Sequence, residues 1–279
     1  MGRTLVLGGG GVTGIAWELG VLAGLREAGL DLSAADTVVG TSAGSVVGAQ
    51  ITSGAAIEDL YARQLRPPDG EIAARLHPGV LARWAWAFVR ERDPRRARAR
   101  IGRMAHAGSG SSVAERRRVI ASRLPSVQWP RTDLLIAAVD ARTGERAVFE
   151  RTTGAALVDA VTASCAVPGV WPPAVIGGRP YIDGGVHSTS NADLAAGSGG
   201  VVALCPIARG AGPLPGPADE LAALEASGAR TALVSPDAAA VAAIGPNVLD
   251  PAARAASARA GRAQAPAVAE RIAGVWGRE

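Results

Sequence analysis

The sequence predicts a single α/β domain whose mainly parallel sheet is covered by helices on both faces. Short apolar runs alternate with longer helical stretches, which is the pattern of parallel strands joined by crossover helices. A glycine-rich loop joins the first strand to the first helix, and a serine-centred turn joins the second pair. With 279 residues, 48% of them hydrophobic, the chain can bury one large core, so we expect one domain over residues 1–279.

The individual elements follow from the local sequence. We predict the first strand at residues 4–7 and its helix at 12–28, then a second strand at 37–40 and a helix running toward residue 53. Further strands are predicted at residues 133–139, 146–149, 181–183, 201–204 and 231–234, and further helices at 155–164, 218–227 and 251–275. The last helix should bend or break near Pro266, because proline lacks the helical N–H and clashes with the preceding turn.

The loop after the first strand reads GGGGVTG at residues 8–14. Glycines allow main-chain N–H groups to point into one cavity, and the N-terminus of the next helix adds positive potential. Two anions suit such a site. One is a dinucleotide pyrophosphate, since Gly9, Gly11 and Gly14 fit the G-x-G-x-x-G pattern. The other is the oxyanion of a tetrahedral acyl intermediate.

The second strand distinguishes these two alternatives. A dinucleotide site needs an acidic residue at the end of that strand, whereas Asp31 and Asp36 both precede it. The strand ends instead at Ser42, between Gly40 and Gly44 in the sequence GTSAG. This is the G-x-S-x-G pattern of a nucleophile elbow, in which a tight strand-to-helix turn exposes a hydroxyl. The sequence therefore favours an acyl hydrolase.

A serine nucleophile needs a base, and the sequence offers Asp183, followed by Gly184 and Gly185, at the end of a short strand. Read alone, Asp-Gly-Gly is typical of an ordinary turn. Beside a glycine-rich loop and an elbow, however, the same carboxylate can reach the serine from a neighbouring sheet edge. We therefore expect Asp183 to lie at the reactive centre.

Histidine is the usual partner of a nucleophilic serine, and the chain has three. His77 lies in a predicted turn and His106 in a basic segment rich in glycine and serine. His187 is the only candidate for a triad, and no histidine follows it in the late position common in α/β-hydrolases. A Ser-Asp dyad is therefore preferred to a Ser-His-Asp triad.

In combination, these motifs resemble the patatin-like phospholipase family. The resemblance rests on GGGVTG at residues 9–14, GTSAG at 40–44 and DGG at 183–185, supported by ASCAVPGVWPP at 163–173 and NADLA at 191–195. Their order and spacing match the family from about residue 4 to residue 205. One departure is Thr13, where the family often carries a basic residue, and this departure concerns the substrate class rather than the chemistry.

The resemblance implies a three-layer α/β/α fold and hydrolysis of acyl esters of phospholipids, galactolipids, triacylglycerols or simpler esters. It implies Ser42 as the nucleophile and Asp183 as the base. Main-chain N–H groups around Gly10, Gly11 and Val12 would form the oxyanion hole, and no metal or cofactor would be needed. An acyltransferase with the same dyad, or an idle lipid-binding protein, is the alternative. Oligomeric state and acyl-chain length are left open.

The segment from about residue 64 to 130 is predicted to be an insertion that can act as a lid. It contains Trp84, Trp86 and Phe88, followed by a dense run of arginines, a composition that suits the surface of an anionic membrane. The other interpretation, which the sequence favours, is a solvated helical hairpin whose tryptophans pack on the core. Nucleic acid is not an expected partner, because the arginine run lacks interleaved stacking aromatics.

The remaining expectations concern single residues and location. We interpret Asn191 as a helix N-cap, Asp193 as a favourable charge in the first turn of that helix and Asp140 as a turn residue. Cys165 and Cys205 are expected to be buried free thiols. No signal peptide and no apolar run of about 20 residues is found, so a cytoplasmic protein, with peripheral membrane contact at most, is expected.

Overall fold

The computed structural model describes residues 2–68, 70–105, 112–210 and 214–277, which form both strands and α-helices. The strands are β1 (Arg3–Leu7), β2 (Thr37–Thr41), β3 (Asp133–Asp140), β4 (Arg146–Phe149), β5 (Ala174–Ile176), β6 (Arg179–Asp183), β7 (Gly200–Leu204) and β8 (Arg230–Val234). The α-helices are α1 (Gly11–Glu27), α2 (Ala43–Ile51), α3 (Ile57–Leu65), α4 (Pro78–Arg90), α5 (Pro94–Met104), α6 (Val113–Arg123), α7 (Leu157–Ser164), α8 (Pro217–Ala226), α9 (Ala238–Ile244) and α10 (Arg254–Trp276).

The strands form one sheet in the order β5-β6-β3-β2-β1-β7-β8, and β4 also pairs with β3. The neighbouring strands β3, β2, β1, β7 and β8 are parallel to one another. By contrast, β4 and β6 are antiparallel to β3, and β5 is antiparallel to β6. The prediction of a mainly parallel sheet is confirmed. Leu7 of β1 pairs with Gly40 of β2, so the glycine loop and the serine turn leave the sheet at the same edge.

Helices cover both faces of the sheet, which confirms the three-layer α/β/α fold. On one face, α1, α2, α7 and α10 pack on side chains such as Leu5, Val38 and Val202. On the other face, α8 packs on Val6 and Val201. Central strands that are buried on both faces consist of continuous apolar runs, and these strands could therefore be predicted from the sequence.

The insertion places α4 and α5 as a hairpin on this second face of the sheet. Ala87 and Ile101 of the hairpin are fully buried against Val139 and Ile182 of the sheet, and Trp84 is partly buried beside them. Trp84 thus packs on the core, as the hairpin interpretation expects, whereas Trp86 is 50% exposed. None of the described helices has the length and hydropathy needed to cross a membrane.

The predicted break at Pro266 is wrong, because α10 runs through this proline as one helix from Arg254 to Trp276. Close packing on α1 explains the outcome. A Cβ atom at Gly20 would lie 2.1 Å from the carbonyl oxygen of Ala258, and one at Gly261 would lie 2.3 Å from that of Trp17. These contacts bring the two helix backbones together before the proline, and Val268, Ile272 and Val275 are buried in the core after it, so tertiary packing overrides its local cost.

Candidate active site

Ser42 occupies a strained turn between β2 and α2. Its φ is 51° and its ψ is −112°, a conformation that is uncommon for a residue with a side chain. The main chain around it is held from both sides, because the Ser42 N–H donates to Ser164 Oγ at 2.9 Å and the Ser42 carbonyl accepts from Ser45 Oγ at 2.7 Å. The surrounding structure thus maintains the strain, as is typical of functional turns.

The turn can be this tight because Gly44 allows α2 to approach β1. A Cβ atom at Gly44 would lie 2.0 Å from the carbonyl oxygen of Leu7, and the Gly44 N–H donates to the Gly8 carbonyl at 2.9 Å. On the other side of the turn, a Cβ at Gly40 would lie 2.6 Å from the Cα of Ser45. The two glycines of the G-x-S-x-G pattern are therefore required sterically, and they join the elbow to the glycine loop.

The glycine loop leaves a group of main-chain donors without partners. The N–H groups of Gly8 and Gly9 donate to the carbonyls of Leu204 and Thr189, and that of Thr13 donates to Val248. Among the described residues, no acceptor is found for the N–H groups in between. These free donors belong to Gly10, Gly11 and Val12, at the N-terminus of α1, where the helix dipole adds positive potential.

The loop lies directly beside the elbow. A Cβ atom at Gly9 would lie 3.7 Å from the Cβ of Ser42. Gly11 has a φ of 62°, which favours glycine, and a Cβ there would lie 2.4 Å from the Val248 carbonyl oxygen. Gly14 packs against Pro206, because a Cβ atom at Gly14 would lie 3.2 Å from the Cγ of this proline. The free N–H groups are thereby fixed next to the serine.

Asp183 ends β6 and has one carboxylate oxygen without a hydrogen bond. Its Oδ1 accepts from the Gly185 N–H at 2.7 Å, whereas Oδ2 is buried and has no hydrogen-bond partner among the described residues. Gly184 brings this turn against β3, because a Cβ there would lie 2.3 Å from the Ala137 carbonyl oxygen. Burial raises the pKa of Asp183 to about 6, although the Ser42 hydroxyl and the Gly185 N–H act in the opposite direction.

Ser42 opens into a pocket of about 360 Å³ with a mainly apolar wall. The free donors lie in the same wall as the serine, because Gly11 and Val12 also line it. The other lining residues are Ile15, Ala43, Ile72, Arg116, Arg123, Cys165, Val167, Trp171 and Leu249. A pocket with a strained serine, free N–H donors and an adjacent buried carboxylate can bind an ester and stabilise an oxyanion.

His187 is directed away from this centre. Its Nδ1 lies 3.1 Å from Asn191 Oδ1, and among the described residues it makes no hydrogen bond to Ser42 or Asp183. Burial, followed by the repulsion of Arg146, lowers the pKa of His187 to about 4. His77 accepts a hydrogen bond from the Gly79 N–H at the start of α4. The third histidine, His106, lies outside the described residues.

Asn191 has a larger role than the sequence indicated. It is fully buried in a left-handed conformation with φ 50° and occupies the N-cap position of the short 3₁₀ turn, as predicted, but its side chain makes no capping hydrogen bond. Its Nδ2 donates to Thr41 Oγ1 at 3.0 Å and to the carbonyls of Ser188 and Gly184 at 2.9 and 3.4 Å. Asn191 therefore ties the strand before the nucleophile to the loop after Asp183.

The other single-residue expectations have mixed outcomes. Asp193 lies in the first turn of this short 3₁₀ helix, as predicted, and also forms a bidentate ion pair with Arg146, at 2.6 and 2.7 Å. Asp140 is a turn residue as predicted, because its Oδ1 accepts from the N–H groups of Arg142 and Thr143. Cys165 and Cys205 are buried free thiols, also as predicted. No three His, Cys, Asp or Glu side chains of the described ranges are grouped as metal ligands.

Comparisons with known proteins identify the family of this chain. Residues 5–196 match the family model described as patatin-like phospholipase. Solved structures similar to this chain include VipD from Legionella pneumophila (14% identity over 73% of this chain, TM-score 0.40) and the type III effector protein ExoU (14% identity over 97%, TM-score 0.40). The chain spans about half the length of each, namely 50% and 53%. No curated protein sequence matches it.

Proposed function

Because the chain belongs to the patatin-like phospholipase family, we propose that it hydrolyses acyl esters of lipids with Ser42 as nucleophile and Asp183 as general base. The observation that carries this proposal is that three features lie together around Ser42. These are a serine in a strained elbow, a buried carboxylate with a free oxygen, and main-chain N–H groups without acceptors. A structural turn would have no need of all three at once.

In the proposed reaction, Asp183 Oδ2 takes the proton of the Ser42 hydroxyl as the oxygen attacks the ester carbonyl. The raised pKa of Asp183 makes its carboxylate a better base toward an alcohol than an ordinary aspartate. The N–H groups of Gly10, Gly11 and Val12 stabilise the oxyanion that develops. Asp183 then protonates the leaving alcohol.

Deacylation repeats these steps with water. Asp183 takes a proton from the water that attacks the acyl-enzyme, and the same N–H groups stabilise the second oxyanion. Collapse of this intermediate releases the fatty acid, and the proton held by Asp183 returns to Ser42. No group outside the chain is needed for these proton transfers. The contacts of His187 to Asn191, rather than to the dyad, support a dyad over a triad.

Labelling with a fluorophosphonate tests the nucleophile directly. We expect a single adduct on Ser42, found by peptide mass analysis, and hydrolysis of a short p-nitrophenyl ester that is lost after labelling. A chain that neither reacts with the probe nor turns over the ester would be an idle lipid-binding protein. Faster release of p-nitrophenol with an added alcohol, together with formation of the new ester, would identify a transacylase.

The substrate is proposed to be reached at a membrane surface through the α4–α5 hairpin. Three apolar side chains of α4 are exposed, namely Leu81, Trp86 and Val89. Exposed arginines flank them, and these are Arg83, Arg90, Arg92 and Arg96. Apolar groups with flanking arginines suit the headgroup region of an anionic bilayer. The cytoplasmic location and the movement of residues 64–130 as a lid stay predictions.

A further inference from the structure

We propose that Arg116 recognises a negatively charged group of the substrate, so that the enzyme prefers acyl esters that carry a phosphate or a carboxylate near the scissile bond. This inference rests on the proposed function of Ser42 and names a substrate feature that the dyad itself does not select. It follows from the surroundings of one side chain on α6.

Arg116 lies in the wall of the same pocket as Ser42, although it is a cation that is only 4% exposed. Its guanidinium carbon is 4.1 Å from the centre of the Trp171 ring, and this tryptophan lines the pocket as well. Stacking on an aromatic ring holds the plane of the guanidinium and leaves its edges for hydrogen bonding. The side chain is therefore fixed next to the position of the ester.

Two nitrogen atoms of this guanidinium have unused hydrogen-bonding capacity. Its Nε and Nη1 atoms are both buried, and neither has an acceptor in the part of the chain that the structure describes. Leaving buried donors of a charged group without partners costs free energy, and folded proteins retain few such groups. Because Arg116 lines the Ser42 pocket, an anionic group of a bound substrate would supply the missing acceptor.

Neighbouring carboxylates do not neutralise Arg116. Glu71 is the carboxylate that attracts Arg116 most strongly. It already forms ion pairs with Arg123 at 2.5 Å and with Arg254 at 3.8 Å. Asp183 also attracts Arg116, less strongly than Glu71 does. Burial, followed by repulsion from Arg123, lowers the pKa of Arg116 to about 10, so the side chain is still a cation at neutral pH. The pocket thus holds an uncompensated positive charge.

The surroundings extend this positive potential outward from the reactive centre. A second cavity of about 990 Å³ shares Val12, Ile15 and Arg123 with the wall of the Ser42 pocket. Its other basic residues are Arg63, Arg66 and Arg254. Guanidinium groups match the planar oxygens of carboxylates and phosphates, so a substrate with such a group would be drawn along this path to Arg116.

Two pairs of soluble esters test the inference and separate the two sources of negative charge. The acyl pair is p-nitrophenyl hexanoate and the p-nitrophenyl monoester of adipic acid, which have the same chain length and differ by a terminal carboxylate. The headgroup pair is dihexanoyl glycerol and dihexanoyl phosphatidic acid. Assays run at pH 8 with the whole chain, because removing Arg116 removes a cation that lowers the pKa of Asp183.

We expect Arg116→Gln to raise KM at least about tenfold for the anionic member of one pair, and to change both neutral esters less than about threefold. Arg116→Lys, which keeps the charge but loses the planar fork, should lie in between. Arg118→Gln is the matched control, since Arg118 is an exposed arginine of the same helix. The pair that responds shows whether a carboxylate or a phosphate is recognised.

Turnover of the neutral esters reports whether each variant is folded. An equal loss on neutral and anionic esters, or no loss on either, would overturn the role of Arg116 while the proposed hydrolysis stands. If the unmodified chain hydrolyses none of the four esters and Ser42 is not labelled by a fluorophosphonate, the proposed function fails and the role of Arg116 with it.

Discussion

The two sides of the Ser42 pocket are built in different ways. On one side, the glycine loop, the elbow and the end of β6 are positioned by main-chain contacts, and Asp183 is the ionisable side chain among them. On the other side, residues of the insertion meet the pocket through side chains, which are those of Ile72, Arg116 and Arg123. The first side holds reactive groups, and the second holds Arg116, a cation that forms no ion pair with the residues the structure describes.

The difference separates chemistry from selectivity. Main-chain donors and glycines that touch neighbouring carbonyls cannot change without moving the elbow, so the reactive side tolerates few substitutions. Side chains of α6 can change without moving any strand. We therefore expect substitutions on the reactive side to lower kcat for every ester, and substitutions on the insertion side to act on KM for some substrates only.

The largest effect should come from Ser42→Ala, which removes the nucleophile and leaves the backbone unchanged. We expect a loss on the order of 10³-fold or more in kcat on both neutral and anionic esters, with an unaltered far-UV circular dichroism spectrum. Near-normal turnover in this variant would show that Ser42 is not the nucleophile and that this side of the pocket is not reactive.

The next effect concerns the base. Asp183→Asn should be nearly as damaging to kcat as Ser42→Ala, since residues that act as a unit are not additive. His187→Ala should cost less than about tenfold, because a bystander supplies none of the usual 10²–10⁴ of general base catalysis. Steady-state kinetics on a soluble ester decide the matter. If His187→Ala is as inactive as Ser42→Ala, the enzyme uses a triad.

The raised pKa of Asp183 also predicts how activity and stability depend on pH. The carboxylate is the base, so kcat/KM should fall about tenfold per pH unit below pH 6. Because the folded pKa is raised above the unfolded value near 3.9, the native state binds this proton more tightly. Its contribution to stability is therefore full below about pH 4 and is lost as pH rises through 6.

Asp183→Asn should consequently stabilise the fold at pH 8, by up to about 3 kcal/mol, while it abolishes activity. Asp193→Asn is the matched control, and its change in stability at pH 8 should have the opposite sign. Burial acts to raise the pKa of Asp193, but the ion pair with Arg146 outweighs it and lowers that pKa. Urea denaturation at pH 8 compares the two. A destabilised Asp183→Asn variant would contradict the account of a buried, poorly solvated charge.

The smallest effect concerns the membrane side. Each arginine near an anionic surface contributes about 1 kcal/mol, and the attraction decays over a Debye length of about 8–10 Å. Co-sedimentation with anionic vesicles should therefore fall between low and high salt, and Val89→Glu should weaken it further. The control is Val241→Glu, since Val89 and Val241 are both exposed valines, 82% and 58% exposed. Equal binding to neutral and anionic vesicles would contradict this attraction and indicate that the hairpin is a solvated surface.

The reactive side could be predicted from the sequence because its signals are local. A glycine run after a strand, a serine between glycines and an aspartate before two glycines each require a particular backbone, and their order along the chain fixes which strand ends they occupy. Buried parallel strands are short and apolar, so the sheet was also visible. The strand Ala174–Ile176 was missed because it is only three residues long.

The insertion side could not be predicted, because it depends on contacts between distant segments. Residues 116–118 are three consecutive arginines that the sequence does not distinguish, yet only Arg116 is buried, against Trp171. Asn191 reads as an ordinary cap until Thr41 is placed beside it. In both cases the decisive partner lies at least 50 residues away in the chain, beyond the reach of local patterns.

The contact between α1 and α10 has a consequence for the timing of activity during synthesis. The donors at the start of α1 are set by residues made much later, because Val248 accepts the Thr13 N–H and α10 packs along the back of α1. A nascent chain that has not yet released residues 248–276 from the ribosome carries Ser42 and Asp183 but lacks the support that fixes the anion site. We expect ribosome-bound chains arrested before residue 248 to resist fluorophosphonate labelling, so that esterase activity begins only after α10 has docked.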